Sequence, residues 1–311
     1  MERIFPRALE KGMMIALAAP SGAVRNKETT ERYRAFWEER GYRVKVLKSC
    51  STHYGYLSGN DRERAEEMQE CFLDDKIDAI FCVFGGYGAA RVLPLLDYES
   101  IRSHPKIFAG FSDVTGYHSA IFRHSGLVTF HTPNADLSSG KPGWEFSFDS
   151  MLACLTCREK RKLLNPEGMP LFTANGGKAE GIACGGNLSL IAHSIGTGYE
   201  PEFDGRILFL EDVGEKIYSV DRMLTQLRLA GVFDRCAGIV FGMFSECRNA
   251  YPDFGLTLEQ VINDVVLPCG KPVLTGLCFG HQQPSLTFPL GVRVTLDADR
   301  REVWLNEAAV Q

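Results

Sequence analysis

In Lys106-Ile107-Phe108-Ala109-Gly110-Phe111-Ser112-Asp113-Val114-Thr115-Gly116-Tyr117-His118, a short apolar strand meets an abrupt turn at Gly110 to Ser112 and passes into a helix. A serine on such a turn is exposed on both sides and lies near free backbone N–H groups. Nucleophilic attack and oxyanion stabilisation need that placement, because both occur at one point. The same position also suits a serine whose hydroxyl caps the following helix. A nucleophile needs a base, and the base an orienting group. Of the seven histidines, His118 and His124 lie along the helix leading away from Ser112. His131 ends a strand on the plausible ligand side, and His281 occupies a Gly280-His281-Gln282 loop after the apolar run Val273 to Phe279. For the acid, Glu211 follows the apolar run Ile207 to Leu210, where a partly buried carboxylate would hold an imidazole in one tautomer. Asp212 and Glu215 suit the alternative job of capping the helix that begins near Tyr218.

These residues must be positioned by regular elements. The chain opens with a strand, Met13 to Ala19, a Pro20-Ser21-Gly22 turn, a helix over Glu28 to Arg40 and a strand over Tyr42 to Leu47. Asn60 with Glu63 three residues on gives a capping-box start to a helix ending near Leu73. The strand Ile77 to Phe84 is almost continuously apolar, as where both sheet faces are covered. It runs into Gly85-Gly86-Tyr87-Gly88 and a helix over Ala89 to Leu96; the Ser112 segment and a strand over Leu127 to Phe130 follow. Such alternation predicts an α/β fold with a doubly wound parallel sheet, whose ligands bind beyond the strand carboxyl ends. The glycine loop and Ser112 would then share one rim. That loop lacks the dinucleotide fingerprint, and the chain has no P-loop, so an oxyanion role is favoured over phosphate binding.

From Thr132 the pattern weakens, apart from a helix over Ser147 to Arg158. The expected division is an N-terminal domain over 1–160, a linker over 161–177 and a smaller mixed domain over 178–311. The last holds a strand at Ala179 to Cys184, a Gly185-Gly186-Asn187 turn opening a helix, a strand at Arg206 to Leu210, a helix over Tyr218 to Ala230, a strand at Gly238 to Phe241, a helix over Leu258 to Val266 and β-rich sequence from Pro272 to the end.

Composition excludes several classes. The 311 residues carry a net charge of −5, from 34 basic and 39 acidic residues, with no basic run to mark nucleic-acid binding. The N-terminus lacks a signal-peptide pattern, and no apolar run would span a bilayer, so a cytoplasmic protein is expected, away from the membrane. The ten cysteines sit mostly in apolar segments, and the one CxxC, Cys154 and Cys157, has no second pair or His cluster for zinc. No metal is expected.

Several segments together resemble the LD-carboxypeptidases, the serine peptidases that include the murein tetrapeptide carboxypeptidases. They are Ala18-Ala19-Pro20-Ser21-Gly22, Gly55-Tyr56-Leu57-Ser58-Gly59, Gly85-Gly86-Tyr87-Gly88-Ala89-Ala90-Arg91 and Gly110-Phe111-Ser112-Asp113-Val114-Thr115. Phe209-Leu210-Glu211-Asp212-Val213-Gly214-Glu215, Asp221-Arg222-Met223-Leu224-Thr225-Gln226-Leu227 and Gly280-His281 complete the set. The resemblance runs from about residue 12 to about 305, in the family's order. It implies a flavodoxin-like N-terminal domain and a smaller C-terminal one. It also implies a triad of Ser112 as nucleophile, His281 as base and Glu211 as orienting acid, with an oxyanion hole from the backbone of Gly86 and Asp113. The implied reaction removes C-terminal D-Ala from the diaminopimelate of murein tetrapeptides through an acyl-enzyme. It uses no cofactor, and members are commonly homodimers. Tyr87, His131 and Trp144 are the further substrate-binding candidates. Many members carry arginine where this chain has Phe84, which bears on the substrate. The microcin-immunity branch, which cleaves aminoacyl- or peptidyl-adenylate analogues and tends to use an aromatic residue for the base, is the alternative, with Trp144 available for that role. A non-catalytic small-ligand binder is the rival from another class.

Overall fold

The computed structural model describes residues 2–251 and 253–311. In chain order the first half comprises β1 (Met14–Ala18), α1 (Lys27–Glu38), β2 (Arg43–Val46), α2 (Asp61–Leu73), β3 (Ala79–Cys82), α3 (Ala89–Val92), α4 (Tyr98–Ser103), β4 (Ile107–Gly110), α5 (Thr115–Ser125), β5 (Thr129–His131) and α6 (Trp144–Thr156). β6 (Arg161–Leu163), β7 (Phe172–Asn175), β8 (Lys178–Asn187), α7 (Leu188–Ser194), β9 (Ile207–Val213), α8 (Ile217–Leu229), α9 (Val232–Arg235) and β10 (Gly238–Ser245) follow. The chain closes with α10 (Leu258–Val261), β11 (Val273–Thr275), β12 (Phe288–Leu290), β13 (Arg293–Asp297) and β14 (Glu302–Leu305).

The first sheet has the order β12-β5-β4-β3-β1-β2, and all its pairings are parallel except that of β12. The run β2-β1-β3-β4-β5 is the flavodoxin-like order. The alternation of its strands explains the layering. Ile15, Leu17, Phe81 and Ala109 face one apolar layer, while Ala16, Ala18, Ile80 and Phe108 face another. A second sheet, β6-β14-β13-β8-β9-β10-β11-β7, is parallel at its centre (β8 to β11) and antiparallel toward its edges.

One apolar layer lies between the sheets. It joins Ile15, Leu17 and Phe130 of the first to Ile207, Phe209 and Val240 of the second. Phe209 stacks on Phe288 at 4.6 Å between ring centroids, and Phe279 meets Phe288 at 4.8 Å. Burying rings of this size stabilises the arrangement by roughly 2–3 kcal/mol each.

The stretch 161–177, expected as a linker, contributes β6 and β7 to opposite edges of the second sheet. Both are shorter than five residues and sit among prolines and glycines, so their pairing comes from partners distant in sequence. Likewise β12, from the C-terminal part, adds antiparallel to β5 of the first sheet. Among the described residues no helix is long and apolar enough to cross a membrane.

Candidate active site

Ser112 is separated from the end of β4 by Phe111 alone and holds φ at 65°, one of three non-glycine residues in the described chain with positive φ. That backbone is strained for a residue with a Cβ, and such strain collects where a side chain is aimed for function. The helix-cap alternative does not hold. Phe111 and Val114 occupy the caps of the short 3-10 turn and of α5, neither end has a side-chain cap bond, and Ser112 Oγ has no side-chain hydrogen bond among the described residues. Gly85 lies against it: a Cβ built there would meet Ser112 Cβ at 2.8 Å, and Asp113 N and Ser112 Oγ at 3.1 Å. Glycine is therefore required for the loop to approach this closely. Gly86 has φ 80°. Asp113 N–H sits in a first helical turn, where such groups have no intrahelical acceptor. Neither it nor Gly86 N–H donates to another element among the described residues.

Buried side chains fix this rim. The Asp113 carboxylate accepts from Ala89 N at 2.7 Å, capping α3; burial pushes its pKa up. Arg64 is 2% exposed and donates to the carbonyls of Pro20, Gly59 and Gly88 at 3.0, 3.2 and 2.9 Å while pairing with Asp61. One guanidinium thus ties the loop after β1 to the glycine loop after β3.

From the second sheet, Glu211 is placed by strand periodicity. Ile207, Phe209 and Glu211 alternate onto the face shared by the two sheets, so the carboxylate is fully buried beside Phe209. Glu211 Oε2 accepts from His281 Nδ1 at 2.7 Å. A carboxylate only accepts, so Nδ1 carries the proton and Nε2 is the basic nitrogen. Burial alone would raise the Glu211 pKa; the imidazoles of His131 and His281 outweigh it and hold the group at about 2. For His281, burial lowers the pKa, but the bond to Glu211 and the charges of Glu211, Asp212 and Asp136 leave it raised above 6.5.

Asn187 connects the halves. Its backbone N–H donates to Thr115 Oγ1 on the Ser112 helix at 3.1 Å, and its amide donates to Asp212 at 3.0 Å and Glu211 at 3.4 Å. Asp212 accepts from Ser189 N at 2.9 Å and Ser189 Oγ at 2.6 Å, so it caps α7, not α8. The N-cap of α8 is Lys216, without a side-chain bond.

Ser112, Gly86, Tyr87, Asn187, Asp212 and His281 share the lining of one cleft of about 650 Å³. It lies where the carboxyl ends of β1, β3, β4, β8 and β9 converge. His281 sits 4.6 Å from the Phe111 ring, adjoining Ser112. Tyr87 is 68% exposed at the rim. His131 is instead buried behind Glu211, its Nε2 3.9 Å from Oε1 and its ring stacked on Phe288 at 4.8 Å. Trp144 is not part of the cleft wall; at the start of α6 it packs edge-on to Phe36 at 5.9 Å, with the Arg40 guanidinium 5.7 Å from its ring. Both departures share a cause, since an apolar environment claims each ring before a ligand can. Phe84 is 38% exposed and stands against Gly22 and Gly86. His118 is no base: it is buried, donates Nε2–H to Gly110 O at 2.9 Å, and burial drives its pKa to about 3. All ten cysteines are free, Cys154 being buried in α6. The Asn187 and Asp212 network was not anticipated, although the Gly185-Gly186-Asn187 signal lay there.

With two sheets converging on a strained serine and a buried Glu–His pair, the architecture is that of a two-part α/β protein with a hydrolase-like cleft. Residues 15–132 match the LD-carboxypeptidase N-terminal domain and residues 180–296 the LD-carboxypeptidase C-terminal domain. The chain belongs to the LD-carboxypeptidase family. It is 36% identical to a probable murein peptide carboxypeptidase of Bacillus subtilis, over 98% of this chain and 97% of that one. Among solved structures, MccF in complex with glutamyl sulfamoyl guanosine superposes with a TM-score of 0.92 at 27% identity, covering 99% of both chains. The muramoyltetrapeptide carboxypeptidase of Oxalobacter formigenes gives 0.82 at 29%, covering 94% of this chain and 97% of that one.

Proposed function

We propose that this chain is a serine LD-carboxypeptidase that removes C-terminal D-Ala from murein tetrapeptides. The observation that carries the reading is the 2.7 Å Glu211–His281 pair opening onto the same cleft as Ser112 at φ 65°. Ser112 Oγ attacks the carbonyl joining the L-centre to D-Ala, and His281 Nε2 takes its proton. Glu211 keeps Nδ1 protonated and stabilises the imidazolium. The N–H groups of Gly86 and Asp113 receive the oxyanion. His281 then protonates the departing amine, and water activated by the same imidazole hydrolyses the acyl ester. The hydrogen bond from Ser112 to His281 forms in the substrate complex, as such bonds often tighten only there. A cytoplasmic place in murein recycling and a homodimeric state belong to the same reading.

The likeness to MccF favours a second reading, cleavage of acyl-sulfamoyl nucleosides by the same residues. Against it, Trp144, the residue available to stack on a base, is committed to Phe36 and lies outside the cleft lining. Mass spectrometry of a panel that holds muropeptides with L,D- and D,D-linked C-termini together with acyl-sulfamoyl nucleosides decides between them. Loss of D-Ala from L,D-linked members alone is expected. Cleavage confined to acyl-sulfamoyl nucleosides would transfer the assignment to the second reading.

A further inference from the structure

Charge in the cleft is distributed unevenly. Besides His281, four charged residues line it among the described residues: Arg25, Asp136, Asp212 and Glu215. Asp212 is buried and saturated by Asn187, Ser189 and the Val213 N–H. Asp136 pairs with Lys141 at 3.6 Å. Arg25 has no ion pair and no side-chain hydrogen bond among the described residues, and it is the one cation lining the cleft there. Glu215, from the loop after β9, is likewise without a side-chain partner among them, and it makes the second-sheet wall anionic.

The loop is held on both sides of Arg25. Three residues before it, Gly22 N donates to Gly85 O at 2.8 Å, and Ala23 N donates to Tyr56 O at 2.9 Å. One residue after it, Asn26 caps α1 by accepting from Glu28 N at 2.9 Å. The arginine therefore projects from a loop bonded to the glycine that touches Ser112. A guanidinium in this position presents a planar fork that matches a carboxylate and no other group of a peptide terminus.

We propose that Arg25 binds the free carboxylate of the residue released from the substrate, and so makes the site an exopeptidase site. Glu215, the carboxylate without a partner on the second-sheet wall, repels that group, so the peptide enters with its C-terminus toward the loop after β1. The proposal rests on the peptidase reading above and names the group by which that site chooses its substrate.

The test compares an L,D-linked peptide ending in a free D-Ala carboxylate with the same peptide as its C-terminal amide, using the wild type, Arg25→Gln and Arg25→Lys. The wild type should prefer the acid. Arg25→Gln should lower kcat/KM on the acid by roughly 10- to 100-fold, the loss expected of a charge-assisted pair. The amide rate should barely change, so the preference collapses. Arg25→Lys, which keeps the charge but not the fork, should restore part of it. An acid-to-amide ratio unchanged in Arg25→Gln overturns the proposal. If the wild type cleaves neither peptide, the peptidase reading fails, and Arg25 is decided by binding alone. Calorimetric titration of Ser112→Ala with the two peptides should then show tighter binding of the acid, lost on adding Arg25→Gln; equal affinities would refute the assignment.

Discussion

Glu211→Gln isolates the role of the buried carboxylate, because the side chain keeps its shape and loses only its charge. In the wild type, Oε2 accepts from His281 Nδ1 at 2.7 Å while Oε1 faces the Asn187 amide at 3.4 Å. A glutamine cannot serve both neighbours. With its NH2 toward His281 it selects the tautomer protonated on Nε2, which cannot take the serine proton. With its oxygen toward His281, two NH2 groups confront each other at Asn187. Substituting the orienting acid of such a triad by its amide costs ~10³–10⁴-fold in kcat, about 4–5.5 kcal/mol of transition-state stabilisation. The pH dependence supplies a second, independent readout. His281 must be neutral to act as base, and its pKa is raised, so the acid limb of wild-type kcat/KM should lie above pH 6.5. Glu211 supplies the largest raising influences, ahead of Asp212 and Asp136, whereas burial lowers the pKa and persists in the variant. The limb should therefore move to lower pH in Glu211→Gln. The assay is kcat/KM against pH on the L,D-linked peptide. A variant retaining more than about a tenth of wild-type kcat, with its acid limb unmoved, would show that Glu211 does not orient His281.

Stability should follow the same pair. The lowered pKa of Glu211 contributes stability above pH 4.5 that is lost as pH falls toward about 2. The raised pKa of His281 contributes stability below 6.5 that is lost as pH rises through its folded value. Denaturant titrations should thus show the largest gap between wild type and Glu211→Gln between those two limits. Ser112→Gly removes the strain at φ 65°; it should abolish turnover yet raise stability by up to about 1 kcal/mol, seen as a higher Tm. Gly85→Ala places a methyl 2.8 Å from Ser112 Cβ, and kcat should fall on the order of 100-fold while circular dichroism is unchanged. Arg64→Met strips the donor from three carbonyls and should destabilise the fold by about 2–4 kcal/mol in chemical denaturation.

Much of the first sheet was legible because its signals are local. The capping box of Asn60 and Glu63 is present as read, and both strands before the site form where expected, although β3 ends at Cys82, two residues short of Phe84, and β4 ends at Gly110. Boundaries failed where tertiary partners overrule composition. The strand expected to stop at Leu210 continues through Val213, because His281 and Asn187 satisfy an acid that would otherwise end it. Gly185 and Gly186, read as a turn, remain in β8: a Cβ at Gly185 would lie 2.0 Å from Phe209 O, so glycine lets adjoining strands meet. The β character from Pro272 to the end was legible, but the membership of β12 in the first sheet was not, because its pairing with β5 is non-local; as an edge strand it tolerates Pro289 in its middle. Ser112 was ambiguous between cap and nucleophile, and its backbone angle, invisible in sequence, speaks against the cap.

The position of β12 has a consequence for how the molecule can be divided. β11 belongs to the second sheet and β12 to the first, so the loop bearing His281 is anchored at one end in each. A polypeptide ending near residue 160 would therefore lack its sixth strand and leave β5 as a bare edge, ready to recruit strands from other chains. The complementary fragment would carry an orphan strand ending with no sheet to join. Split at the obvious place, the two pieces should aggregate separately when expressed alone, and restore a soluble species only when made together. For this protein, the economical unit of folding, inheritance and engineering is the whole chain.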